Sequence, residues 1–168
     1  SIPQILEIIR RPDSSAQDLA RVFERDPTLT ASILKLANSS FYGFNREIST
    51  ISHAIVCLGF DTIKSIALAA STQDMLNDGL SAYKLEKGML WQHSTTCAIC
   101  ARMVAQRIKY RDCEEAYIAG LLHDIGKIIL SSFAEEQYDQ ILEKTKDNKT
   151  PFNIAEQEVL GYDHPQIG

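Results

Sequence analysis

The sequence predicts an all-α fold. Three observations predict it. Helix-start residues recur along the whole chain, apolar residues recur at three- and four-residue spacing, and no stretch alternates with the period of two that a half-buried strand needs. The first helix is expected from Pro3 to about Arg11, since proline suits a first turn whose N–H groups have no intrahelical partner, and Pro12 is expected to stop it. Ser14 with Gln17 has capping-box spacing and predicts a second helix to about Glu24. Asp26-Pro27 reads as an N-cap followed by proline at the first helical position, with Leu29, Ile33, Leu36 and Ala37 inward. NSSFYGFNREIS (38–49) is a connection rich in Asn, Ser and Gly, in which Asn38 suits a left-handed helix end. Phe41, Tyr42 and Phe44 in that loop are structural residues first and a candidate partner surface second.

A short helix over 51–58 is expected to end at Gly59, and Asp61 to cap the next, with Ile63, Ile66, Leu68 and Ala70 inside. NDGLS (77–81) breaks the pattern. A long helix over about 84–108 follows, with Leu90, His93, Cys97, Cys100, Ala101, Val104 and Ile108 on one expected inward stripe. Asp112 with Glu115 reads as a further capping box, opening a helix that carries AGLLHDIGK. Helices at about 134–146 and 152–160 complete the chain, the last begun by Pro151 and ended by Gly161.

The 168 residues, 45% hydrophobic and 23% charged, suffice for one compact soluble domain with a real core. A net charge of −5 with scattered Lys and Arg weighs against a dedicated nucleic-acid binder, whose affinity comes largely from neutralising phosphates. No apolar run reaches the roughly 18 residues of a membrane span, and SIPQILEIIRRPDSS lacks the basic-then-apolar order of a signal peptide, so a cytoplasmic setting is expected. The first residue is Ser, which reads as a start inside a longer protein. Cys57, Cys97, Cys100 and Cys113 then point to reduced thiols rather than a disulfide framework. Cys97 and Cys100 have C-x-x-C spacing, but a zinc site would need a second pair, and the pair reads as small apolar packing on a helix face.

The chemistry concentrates in polar residues on apolar faces. In AGLLHDIGKIIL (119–130), His123 and Asp124 interrupt a core-like run, although an unpaired buried carboxylate costs several kcal/mol, on the order of 2–7 or more. His93 lies on the expected inward stripe and His164 in GYDHPQIG (161–168). Imidazole nitrogens and carboxylate oxygens together suit a divalent metal of undetermined identity. Neighbouring helix residues point about 100° apart, so His123 and Asp124 can meet one ion only in a groove between helices, and Gly120, one turn earlier, would open such a groove. His93, His123 and Asp124 are expected to converge within about 5 Å, as ligands of one ion must. Lys127 would sit beside them, where a cation can meet a phosphate. The alternative is a metal-free hydrogen-bonded network of Asp124 with Lys127 or His93.

The order His93 … His123-Asp124-Ile125-Gly126-Lys127 … His164-Pro165-x-x-Gly168 resembles the HD superfamily of metal-dependent phosphohydrolases. DPTLTASILKLANSSFYGF (26–44), ISTISHAIVCLGFDTI (48–63), WQHSTTCAICARMVA (91–105) and EEAYIAGLLHDIGKIIL (114–130) are similar to its HDOD branch, a family of bacterial all-helical signalling modules. The related HD-GYP phosphodiesterases, which cleave cyclic di-GMP, share HDIGK and the H-P-x-x-G step, but the GYP motif has no counterpart here. The resemblance implies a single HDOD domain over 1–168, cut at both ends and lacking the family's last helix. It implies metal ligands at His93, His123, Asp124 and His164, and a phosphate-facing catalytic lysine at Lys127. It assigns no closing Asp, and Asp139 and Asp147 read as solvated surface residues. The expected function is a regulatory module with a partial, catalytically degenerate metal site, working through a fused or separate signalling partner. The alternatives are an active metal-dependent phosphohydrolase on a nucleotide or cyclic dinucleotide, and a purely structural domain.

Overall fold

A computed structural model describes residues 2–11, 13–44, 46–133, 137–146 and 150–168. They form α-helices without a strand, the nearest approach to a sheet being one isolated bridge between Leu80 and Leu85. The chain divides into two compact units, residues 1–73 and 74–168.

In the first unit, α1 (Ile2–Arg10), α2 (Ala16–Glu24), α3 (Pro27–Ala37), α4 (Ile51–Leu58) and most of α5 (Phe60–Asn77) surround one apolar cluster. Pro12, the expected stop of α1, lies outside the described residues. The capping box of α2 is one residue later than its sequence spacing suggested: Ser15 accepts from the Asp18 amide, and Asp18 accepts from the Ser15 amide. Asp is as able an acceptor as Gln at that position, so the Ser14/Gln17 and Ser15/Asp18 registers compete, and the second places Leu19 and Phe23 inward. Asp26 caps α3 as expected, accepting from the Leu29 amide at 3.0 Å.

Asn38 is not a left-handed helix end, having φ −88°. Its side-chain amide instead clasps the following loop: Nδ2 donates to the carbonyls of Leu34 and Ile48, and Oδ1 accepts from the Ile48 amide, each at 2.8 Å. That clasp holds Ile48, 1% exposed, in the core. Tyr42 packs against the same core, whereas Phe41 and Phe44 each keep about two-fifths of their surface exposed, at 39% and 41%. Thr50 caps α4. Gly59, at φ +84°, turns the chain directly into α5, which starts at Phe60 and so has Asp61 in its first turn rather than at its cap.

The second unit opens with a 3₁₀ turn, Ser81–Tyr83, followed by Lys84 and Gly88, both with positive φ. The expected long helix is therefore shorter, α6 (Met89–Arg107). Then come α7 (Cys113–Leu122), α8 (Gly126–Phe133), α9 (Tyr138–Thr145), α10 (Phe152–Leu160) and α11 (His164–Ile167). Asp112 caps α7 through the Glu114 and Glu115 amides, while Glu115 accepts from the Tyr110 hydroxyl instead of closing a box. Residues 134–136, where a helix was expected to begin, lie outside the described residues.

The inward face of α6 is rotated from the expected stripe. Leu90, Ser94, Ala98, Arg102 and Ala105 are buried, while Val104 and Ile108 are mostly exposed. The cause is the crossing with α7. A Cβ on Gly120 would stand 2.8 Å from the Ala98 Cα and 2.9 Å from the Cys97 carbonyl oxygen. Only small residues permit backbones that close, so Ser94 and Ala98 face α7. Gly120 thus removes the gap between helices rather than opening a groove. Arg102 is accommodated by pairing with Glu114 and stacking over Tyr117.

Gly126 makes a second close approach: a Cβ there would stand 2.0 Å from the His164 carbonyl oxygen. Gly126→Ala is expected to push α11 away from the start of α8 and to destabilise the protein by about 1–3 kcal/mol or more, as overpacking does. Chemical denaturation of both proteins checks this, and an unchanged midpoint would refute the contact.

Candidate metal centre

The segment read as one helix through AGLLHDIGK is two. α7 ends at Leu122, a turn holds His123, Asp124 and Ile125, and α8 begins at Gly126. The break lets His123 and Asp124 turn towards a common point despite being neighbours. Asp124 is buried, 3% exposed, and three imidazoles from different elements meet its carboxylate. His93 Nε2, from α6, lies 3.4 Å from Oδ2, and His123 Nε2 lies 3.5 Å from the same oxygen. His164 Nε2, from the start of α11, lies 3.3 Å from Oδ1. Lys127, in the first turn of α8, donates to Oδ2 at 2.6 Å. The four residues expected as ligands are thus brought together, and Lys127 pairs with the carboxylate rather than standing free beside it. His93 reaches the cluster from the exposed side of α6, not from its buried stripe.

Two histidines are held in a defined orientation by their second nitrogens. His123 Nδ1 is 2.8 Å from the Gly120 carbonyl, which can only accept, so Nδ1 carries the proton and Nε2 faces Asp124. His164 Nδ1 is 2.5 Å from Glu156 Oε2. Glu156, on α10, is fully buried and also accepts from the His164 amide at 2.9 Å and the Tyr83 hydroxyl at 2.6 Å. Such outer carboxylates are the usual partners of metal-ligating imidazoles. Neither Glu156 nor Tyr83 was singled out from the sequence. The available signal was spacing: Phe152, Ala155 and Glu156 fall at i, i+3 and i+4, which sets a carboxylate on the inward stripe of α10.

An Nε2 aimed at a carboxylate oxygen requires a cation between them, a proton or a metal. The N···O separations of 3.3–3.5 Å exceed the usual hydrogen bond. They match the separation of about 3.3 Å between neighbouring tetrahedral ligands bound at about 2.0–2.1 Å. The donors therefore fit a divalent ion. Asp139 is exposed on α9, and Asp147 lies outside the described residues.

Without an ion the charges still balance. Burial works to raise the Asp124 carboxyl, but the His164 imidazole and the Lys127 ammonium outweigh it and hold it well below the usual range. Burial likewise opposes ionisation of Glu156, and its bonds from His164 and Tyr83 reverse the effect and lower it. Burial lowers His164, but the Asp124 and Glu156 carboxylates facing its two nitrogens raise it to about 9. A charged imidazole thus bridges two carboxylates.

The lowered carboxyls contribute stability that is present above the unfolded range of about 4 and lost as pH falls below it. The raised His164 contributes stability that is full below its unfolded value of about 6.5 and lost as pH rises through about 9. Thermal melts of the chelator-treated protein should therefore lose Tm on both sides of about pH 5–6.5, and His164→Gln should flatten the alkaline limb. An alkaline limb identical in the variant would contradict the charged bridge.

The cluster can be compared with known proteins. A model of the HDOD domain family matches residues 1–168. An HDOD domain protein of unknown function from Geobacter sulfurreducens superposes with a TM-score of 0.82 at 29% identity, over 97% of this chain and 54% of that one. A Shewanella amazonensis protein provisionally named a phosphohydrolase gives 0.80 at 26%, over 99% and 58%. A Marinobacter aquaeolei protein provisionally named for signal transduction gives 0.73 at 25%, over 99% and 38%. An uncharacterized Treponema pallidum protein is 23% identical over 98% of this chain and 32% of its own length. The chain thus spans between about a third and three-fifths of the length of the longer proteins it matches. No helix among the described residues is long and apolar enough to cross a membrane. With four sequence segments, an all-helical fold and a family model matched from end to end, this chain belongs to the HDOD domain family.

Proposed function

We propose that this chain is a regulatory module of bacterial cytoplasmic signal transduction, whose HD cluster binds a divalent ion but turns over no phosphoester at a useful rate. His93, His123, Asp124 and His164 would hold the ion, which when bound would act as a Lewis acid and lower the pKa of a coordinated water. The module would act by presenting its surface to a fused or separate signalling partner.

The observation that carries this reading is the placement of Lys127. Phosphoester hydrolysis needs a cationic group aimed at the charge that develops on phosphate. Lys127 is the candidate, yet its ammonium is bonded to Asp124 at 2.6 Å and its side chain is largely buried. It compensates the ligand carboxylate instead of facing a substrate. The regulatory reading also agrees with the Marinobacter aquaeolei neighbour's name.

The second reading, an active phosphohydrolase acting on a nucleotide or cyclic dinucleotide, is favoured by the imidazole-rich donor cluster and by the Shewanella amazonensis neighbour's name. Product release from cyclic di-GMP and from bis-p-nitrophenyl phosphate, with Mn²⁺ or Mg²⁺, separates the two. Equal, negligible rates for wild type and Asp124→Ala are expected. Metal-dependent turnover that disappears in Asp124→Ala would replace the regulatory reading with the hydrolase.

A further inference from the structure

One donor at the cluster has no place in the family motif. Cys97 lies one turn after His93 on α6, so the two side chains share a face. Its Sγ is 3.7 Å from His93 Nε2. One donor atom each from His93, Cys97 and His123 all lie within 4.8 Å of one another. The two imidazoles also reach Asp124 Oδ2, at 3.4 and 3.5 Å. Three donors, two nitrogens and one sulfur, thus surround one volume, with Asp124 beside the two imidazoles.

The sulfur distance is informative. An ion held at about 2.3 Å from sulfur and about 2.0–2.1 Å from nitrogen, with tetrahedral angles, sets those two atoms about 3.6 Å apart. A simple thiol–imidazole hydrogen bond would also allow the observed contact. It gives no reason for His123 to turn its Nε2 to the same place, with its Nδ1 committed to the Gly120 carbonyl. Nor does it explain why both imidazoles address an already buried anion. A shared cation explains all of these contacts together.

We infer that Cys97 is a metal ligand, and that His93, Cys97 and His123 form a thiolate-containing site for a zinc-class ion beside Asp124. This rests on the reading that the HD cluster binds a metal, with Cys97 taking the place given there to His164, and it deepens that reading in two ways. A thiolate donor is soft, so it favours Zn²⁺ over the harder Mg²⁺ and Mn²⁺. The three protein donors also place the ion on the accessible rim of the cluster, with its fourth tetrahedral position beside Asp124. Binding releases the thiol proton to solvent, because the thiolate is the ligand. His164 then stays with Glu156 and the other oxygen of Asp124, buttressing the carboxylate from behind.

Co²⁺ tests this, as a spectroscopic stand-in for Zn²⁺, on the full 168-residue chain. Cys57, Cys100 and Cys113 are replaced by Ser so that Cys97 is the sole thiol, which avoids removing the residue in question. Co²⁺ should then give visible d–d bands together with a near-ultraviolet sulfur-to-cobalt charge-transfer band. Adding Cys97→Ser should abolish the charge-transfer band while circular dichroism stays unchanged, and Zn²⁺ should displace the Co²⁺ where Mg²⁺ does not. The d–d bands without a charge-transfer band would overturn the role of Cys97 and leave the metal site standing. Failure of both the wild-type chain and the sole-thiol variant to bind Co²⁺ would overturn the metal site and the role of Cys97 together.

Discussion

A single buried carboxylate organises the second unit. Taking Asp124 out of water costs roughly several kcal/mol even after relaxation, and the surrounding fold is arranged so that the charge is answered. Lys127 answers it from one turn along the chain, and His93, His123 and His164 from α6, from the α7–α8 turn and from α11. Removal of this anion would leave a lysine and three imidazoles facing one another. An unanswered Asp124 would be equally costly. Helices distant in sequence are in this way tied to one point by electrostatics rather than by apolar packing alone.

The close approaches of glycine make that convergence geometrically available. Gly120 brings α7 onto the backbone of α6 at Ala98 and Cys97, which sets His93 and His123 within reach of each other, their rings 5.2 Å apart. Gly126 does the same between α8 and α11 and carries His164 to the far oxygen of the carboxylate. The cluster consequently has two sides. Asp124, His164 and Glu156 form a buried side, fixed by the Tyr83 hydroxyl and the stacking of Tyr83 with Phe152. His93, His123 and Cys97 form an accessible side. A charge-compensated base thus lies beneath an accessible rim of nitrogen and sulfur donors, with the Lys127 ammonium bonded to that base.

Much of this was legible in the residues. Asp26-Pro27, Asp112 and the glycines at 59 and 161 mark helix ends through local chemistry, and local chemistry survives into the fold. The pairing of His123 with Asp124 in an apolar run was informative because burying those groups has few physical solutions. His93 was singled out by an expected inward stripe that the structure does not keep, and the family motif supplied the ligand role of His164. Where two local solutions had similar worth, as with Ser14/Gln17 against Ser15/Asp18, the register depended on which choice buried Leu19 and Phe23.

The sequence by itself determined the helical class, most helix ends and the identity of Asp124 as a charge carried into the core. These follow from propensity, capping and the cost of burial, which act within a few residues. Only the tertiary structure decided which face of α6 is inward, that the HD pair sits in a turn between two helices, and that Asn38 is a clasp. It alone brought Glu156 behind His164 and Cys97 beside His93. Such choices depend on how closely two backbones can approach, and that distance is set by side chains on both helices at once. A pattern read along one strip of sequence contains half of that information.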